Sequence, residues 1–244
     1  MKISGGWRSS SSALALTAAL ATLATLAACG GKSDDASASA SVSDAQVLSF
    51  VAASNINGLG NAGTGTNRWV GTGTAAAVVS VYIPAPNGTT EIELAGKARN
   101  AIAAINQHLP GELTLVEVAS APSSGGHLRI SYLTSYVPGG STDYQSYCAN
   151  VATGAGLPNV VNATSPSGER NQTVAWVNLG NGRCDVSQDI VTHELGHALG
   201  LGTHFEGFGN GPPISRAFWD VLATLYANPV RTLAPALQVR RSAG

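Results

Sequence analysis

The stretch HELGHALGLGTHF, residues 193–205, constrains this chain more than any other. It holds three of the five histidines and places a glutamate beside the first of them. On an α-helix, His193 and His197 stand one turn apart on the same face, so their imidazoles can close on a single ion. Neutral imidazole is a good zinc ligand. Glu194 follows the first histidine, where its carboxylate can reach the open side of a metal site without ligating the ion. H-E-x-x-H on a helix therefore reads as a zinc site with a general base. The helix expected to carry it covers residues 186–201, capped by Asp185 or Ser187.

The beginning of the chain points to export. Lys2 and Arg8 precede an apolar Ala/Leu run, residues 13–28, which has the layout of a secretory signal and is short for a membrane span of about 20 residues. The run ends in Leu26-Ala27-Ala28-Cys29-Gly30, which resembles the bacterial lipobox. That resemblance implies cleavage before Cys29 and lipid on its sulfur, hence a chain anchored in the bacterial cell envelope. Gly30 in place of an acidic residue favours the outer membrane, at its periplasmic face or the cell surface. Residues 29–73 read as a flexible tether and N-terminal segment, Ser/Ala/Asp-rich at first and Gly/Asn-rich from residue 54, with a short helix at 45–53 that Asp44 could cap. With Cys29 set aside, Cys148 and Cys184 are the candidates for a disulfide in an oxidising compartment. Such a bridge closes a loop of about 37 residues, worth roughly 3–4 kcal/mol in the chain-entropy model. The rival use of either cysteine is as a zinc ligand or an inhibitory thiolate. Basic and acidic residues nearly balance, 13 against 14, and no basic patch occurs, so nucleic acid is not an expected partner.

Hydrophobic periodicity places strands at 75–83, 113–118, 127–133 and 173–179, with a possible short one at Val160-Val161. A long helix with Leu94, Ala98, Ile102 and Ile105 on one face is expected over 91–109, with Thr90 as a candidate cap, and another helix over 215–226. The strand–helix–strand beginning implies a crossover and a mostly parallel sheet, on which the zinc helix packs through Ile190, Val191, Leu195 and Leu199. Residues 74–229 form the expected catalytic domain, and 230–244 a loose tail. His108 is expected to meet the last carbonyls of its helix and His127 to lie at the surface. Trp69, Trp176 and Trp219 are expected in packing roles. Asp189, one turn before His193, either orients a ligand histidine or faces solvent. No run of regularly spaced carboxylates suggests a calcium loop.

His193, Glu194, His197 and Gly200 resemble the H-E-x-x-H-x-x-G-x-x-H signature of the metzincin zinc proteases, the matrixins and snapalysins among them. The resemblance implies an α+β, zincin-like fold: a mostly parallel twisted sheet, a long backing helix, an active-site helix and a small irregular C-terminal subdomain. It also implies one catalytic Zn2+, a protein or peptide substrate, and endopeptidase activity with Glu194 as general base. The family's third ligand would fall on Thr203, a poor zinc donor, and His204 follows it. Gly200 and Gly202 permit a bulge that brings His204 to the metal beside His193 and His197; Glu206 and Asp220 are the alternative donors. The family's methionine turn has no counterpart, since the only methionine is Met1. Leu225 is the expected floor residue instead. Tyr226 stands where some relatives place an oxyanion-stabilising tyrosine, with core packing as the other role. The expected protein is a monomeric, lipid-anchored zinc endopeptidase whose substrate adds along a sheet edge, near Val160. Two competing functions are a non-catalytic envelope lipoprotein that binds a partner through a protease-like fold, and hydrolysis of a non-protein amide such as a peptidoglycan cross-link.

Overall fold

Alternating and β-branched segments build a five-stranded sheet in this computed structural model, which describes residues 42–60, 62–71, 76–157, 169–170, 174–209 and 213–244. The strands are β1 (Ala77–Tyr82), β2 (Leu113–Val118), β3 (His127–Tyr132), β4 (Ala149–Ala152) and β5 (Val174–Leu179). Their order across the sheet is β2-β1-β3-β5-β4. β1 runs parallel to β2 and β3, and β3 parallel to β5, while β4 closes one edge antiparallel to β5. The chain is thus α+β with a mostly parallel sheet. Parallel strands need long crossovers, and α2 (Thr89–His108) supplies the one between β1 and β2. Its stripe Leu94, Ala98, Ala101, Ile102 and Ile105 is buried. The helix α3 (Gln188–Ala198) packs against α2, β4 and β5. Val191, Leu195 and Leu199 are fully buried and Ile190 partly so. The last helix is α4 (Arg216–Ala227).

Several boundaries depart from the sequence reading. The first helix, α1 (Asp44–Val51), is capped by Ser43 in a capping box with Gln46, and Asp44 lies in its first turn, where its charge suits the helix dipole. The chain does not then relax into loop but continues as a π-helical turn, Ala52–Asn57. Thr90 lies inside α2, which follows Gly88 at φ +95°. The Oε2 of Glu91 accepts the Asn87 N–H at 2.7 Å, a task that Thr90 does not perform. β4 falls in a segment that reads as loop, because four residues carry no resolvable period. The expected signal, Cys29, the expected tether up to residue 41 and Val160-Val161 lie outside the described residues.

The C-terminal segment is not loose. Residues 42–60 and 230–244 belong to the same compact unit as the sheet. Arg241 pairs with Asp220 at 2.7 Å and with Asp44, and donates to the Val42 carbonyl at 2.9 Å. Arg216 reaches the other Asp220 oxygen at 3.1 Å, where the Ser242 N–H and hydroxyl also donate. The Ala243 N–H donates to the His108 carbonyl at 2.9 Å, and His108 Nδ1 donates to the Ala243 carbonyl at 2.6 Å. The His108 ring stacks on Trp219 at 4.1 Å. Asp220 therefore serves as the knot that ties α4, the C-terminus and α1 together, not as a metal ligand.

Cys148 and Cys184 are bonded, with Cα atoms 5.7 Å apart, and the bridge joins the start of β4 to the approach to α3. Replacing both cysteines by serine lowers the unfolding free energy by about 3 kcal/mol, measurable by urea titration against wild type under non-reducing conditions.

Burial of Asp220 favours its neutral form. The Arg241 and Ser242 hydrogen bonds and the Arg216 charge outweigh that and hold the carboxyl below the usual aspartate range. A depressed carboxylate stabilises the fold fully above its unfolded value near 4 and loses that stabilisation as pH falls through the folded value. Asp220→Asn therefore costs about 3 kcal/mol at pH 7. The gap to wild type narrows as pH falls from 5 toward 2, as urea midpoints across that range would register.

Candidate metal centre

Ser187 caps α3, its hydroxyl accepting the Ile190 N–H at 3.2 Å. The buried stripe of the helix turns Val191, Leu195 and Ala198 into the core. His193 and His197 consequently share another face, their rings edge to face at 4.6 Å. The helix ends at Ala198, and Gly200 adopts φ +117°. A Cβ there would sit 3.0 Å from the Asn67 carbonyl oxygen, so the reversal requires glycine. The returning chain brings His204 Nε2 to 3.1 Å from His193 Nε2 and 3.2 Å from His197 Nε2. Thr203, the residue at the family's ligand spacing, turns its hydroxyl away to the Ala53 carbonyl at 3.2 Å. Glu206 is exposed, and neither it nor Asp220 joins the three histidines, whose ligand nitrogens all lie within 4.8 Å of one another.

The donor set fits a metal ion. The Leu201 carbonyl can only accept, so His197 Nδ1, 2.5 Å away, carries the ring proton and Nε2 offers a lone pair. Three Nε2 atoms converge here, His204 Nε2 lying within reach of both others. Nitrogens bound at 2.0–2.1 Å to one tetrahedral ion are separated by about 3.3 Å, close to the two spacings that His204 Nε2 makes. Electrostatics keep the rings ready to ligate. Burial, followed by the adjacent His197 and His204 rings, pushes His193 down to about 3. Burial pushes His197 down to about 4, with the Leu201 hydrogen bond opposing and His204 reinforcing the fall. Burial also lowers His204. The Glu194 carboxyl moves in the other direction, raised by burial to about 8. A cation among the three histidines would favour its ionised form again.

The floor of the centre is Phe208, which the sequence reading missed. Its ring stacks on His193 at 4.4 Å and lies 4.9 Å from His197 and 5.7 Å from His204. A tight turn delivers it: Phe205 and Phe208 exchange backbone hydrogen bonds at 2.9 Å, with Gly207 at φ +85° between them. The middle glycine of HELGH makes room for it. A Cβ on Gly196 would lie 2.7 Å from Phe218 Cε2 and 2.9 Å from Phe208 Cε2. Leu225, the expected floor residue, packs behind Gly200 instead. The single F-x-x-F with its internal glycine, Phe205 to Phe208, is the one signal that could have revealed this turn.

Other singled-out residues take no part in the three-histidine group. Tyr226 is buried and its hydroxyl donates to the Leu199 carbonyl at 2.9 Å, so its proton secures the end of α3. Trp69 does similar work, donating to the Ala198 carbonyl at 3.0 Å. The Arg129 guanidinium lies over Trp176 at 4.3 Å. His127, expected at the surface, is buried where β3 begins beside β5. Asp189 is exposed and lines a cleft of about 440 Å³ that also holds His193 and Glu194. Gln145, Ser146, Cys148 and Ala149 line the same cleft, so the disulfide and the start of edge strand β4 border it together with His193. No protein-family model matches this chain, and no curated protein matches it either.

A divalent ion held by the three histidines would raise the melting temperature, and a chelator would remove that gain. Phe208→Ala should cost about 3–5 kcal/mol and weaken ion binding, whereas Phe208→Leu keeps most of both. Thermal melts with and without added zinc would decide the matter: equal zinc shifts in wild type and Phe208→Ala would show that the ring does not support the centre.

Proposed function

We propose that this chain is a zinc-dependent peptidase of metzincin-like, zincin-type architecture. The observation that carries the reading is the meeting of three Nε2 atoms, with His193 and Glu194 lining one cleft. Three neutral imidazoles favour zinc over the harder oxygen-seeking cations. Zinc bound there would supply Lewis acidity toward water and the scissile carbonyl. Glu194 accepts a proton from the attacking water on its carboxylate and returns it to the nitrogen of the leaving amine. Phe208 and the buried stripe of α3 keep bulk water from the inner side of the histidines.

The antiparallel edge strand β4 supports a peptide as substrate. A peptide extended along that edge would use main-chain hydrogen bonds for affinity and pass beside His193 and Glu194. The region around Val160, the expected edge, lies outside the described residues. A lipid on Cys29 would hold the catalytic unit at the bacterial envelope, with the outer membrane favoured and the Ser/Ala-rich tether as spacer.

Glu194→Gln should retain zinc and lower peptide cleavage by about 10²–10⁴-fold, while His204→Ala weakens zinc binding as well. Zinc content and cleavage of a broad peptide library, measured on the same preparations, test this. Zinc-loaded wild type that cleaves nothing would favour the non-catalytic lipoprotein.

A further inference from the structure

The π turn between α1 and β1 lies far from the cleft in sequence but grips the His204 loop. In a regular α-helix the Gly58 N–H would bond to the Ser54 carbonyl. Here it reaches back five residues to Ala53, at 2.8 Å, and the Ser54 carbonyl accepts the Gly202 N–H, also at 2.8 Å. The Ala53 carbonyl accepts the Thr203 hydroxyl as well, at 3.2 Å. Asn55, fully buried, donates from Nδ2 to the Gly200 carbonyl and to the Asn67 carbonyl, each at 2.7 Å. Its Oδ1 accepts the Asn67 N–H at 2.9 Å. Residues 53, 54 and 55 thus each hold one of the residues immediately before His204. The fit is close on both sides: a Cβ on Gly202 would lie 2.5 Å from Leu59 Cδ2, and one on Gly58 would lie 2.9 Å from Thr203 Cγ2.

This grip answers a specific problem. His204 comes one residue later than the third ligand in the H-E-x-x-H-x-x-G-x-x-H spacing, so the loop before it has one more residue to order. Ordering one residue costs about 1–2 kcal/mol, and a ligand on a free loop charges that cost against ion binding. Here the π turn immobilises the loop when the protein folds. We infer that Asn55 is a positioning residue for the metal centre, holding the Gly200–Thr203 turn so that His204 meets His193 and His197. A merely structural asparagine would affect stability and leave ion affinity alone.

The inference rests on the metal reading of the three histidines, and the two fail differently. The full chain would be titrated with Co(II) against a competing chelator, as wild type, Asn55→Ala, His204→Ala and the double variant, with urea unfolding of each metal-free form as the stability readout. Asn55→Ala should weaken Co(II) binding by about 10–100-fold. In the His204→Ala background the same substitution should change affinity by less than about threefold, because the ligand it positions is gone. If Asn55→Ala does not fold, Thr203→Val carries the test. It keeps the methyl beside Gly58, removes the hydroxyl bond to Ala53, and should show a smaller loss of affinity that again vanishes without His204. Unchanged affinity, or equal losses with and without His204, would overturn the inference while leaving the metal centre standing. Wild type that binds no Co(II) would bring down both.

Discussion

Three imidazole Nε2 atoms converge between α3 and the loop that follows it, and the surrounding structure holds them there. Two are placed by helix geometry, since α3 stacks His193 and His197 one turn apart at no cost beyond forming the helix. The third must be brought back by a loop, and loops left to themselves are mobile. Four separate contacts remove that freedom. The left-handed Gly200 reverses the chain, the Leu201 carbonyl orients the His197 ring, the π turn pins the bend from behind, and Phe208 fills the space beneath the rings.

The same elements shape the approach to the centre. α3 lies under β4 and β5, and the bridge between Cys148 and Cys184 ties the start of β4 to the approach to α3. The cleft wall is therefore covalently joined to the helix that presents His193 and Glu194. Behind the helix, Trp69 and Tyr226 occupy the carbonyls of Ala198 and Leu199, polar groups that a buried helix end would otherwise leave unpaired. The Asp220 cluster draws α1 and the C-terminus together around α4, adjacent to the segment that continues into the π turn.

Much of this was readable from local patterns. The strands at 113–118 and 127–132, the long helix with its Leu94–Ile105 stripe and the Ser187 cap all follow from short-range periodicity and capping chemistry. β4 was not, because four residues, ANVA, are too few to show a period, and pairing with β5 alone makes them a strand. The C-terminal residues read as loose because Gln238, Arg240 and Arg241 look solvent-seeking. Their partners, Asn228, Thr224, Glu112, Asp220 and Asp44, are 10 to 197 residues distant in sequence. His127 misled for a related reason: a polar residue beginning a strand reads as exposed unless the strand is known to be central.

Sequence alone determined the pair His193 and His197, the carboxyl beside them and the candidates for the third position, since i to i+4 spacing on a helix is local geometry. Only the tertiary structure chose His204 over Thr203, put Phe208 rather than Leu225 beneath the rings, and enlisted Asn55 from 145 residues away. Those choices turn on which backbone groups and side chains meet across the fold, and no periodicity along the chain encodes such meetings.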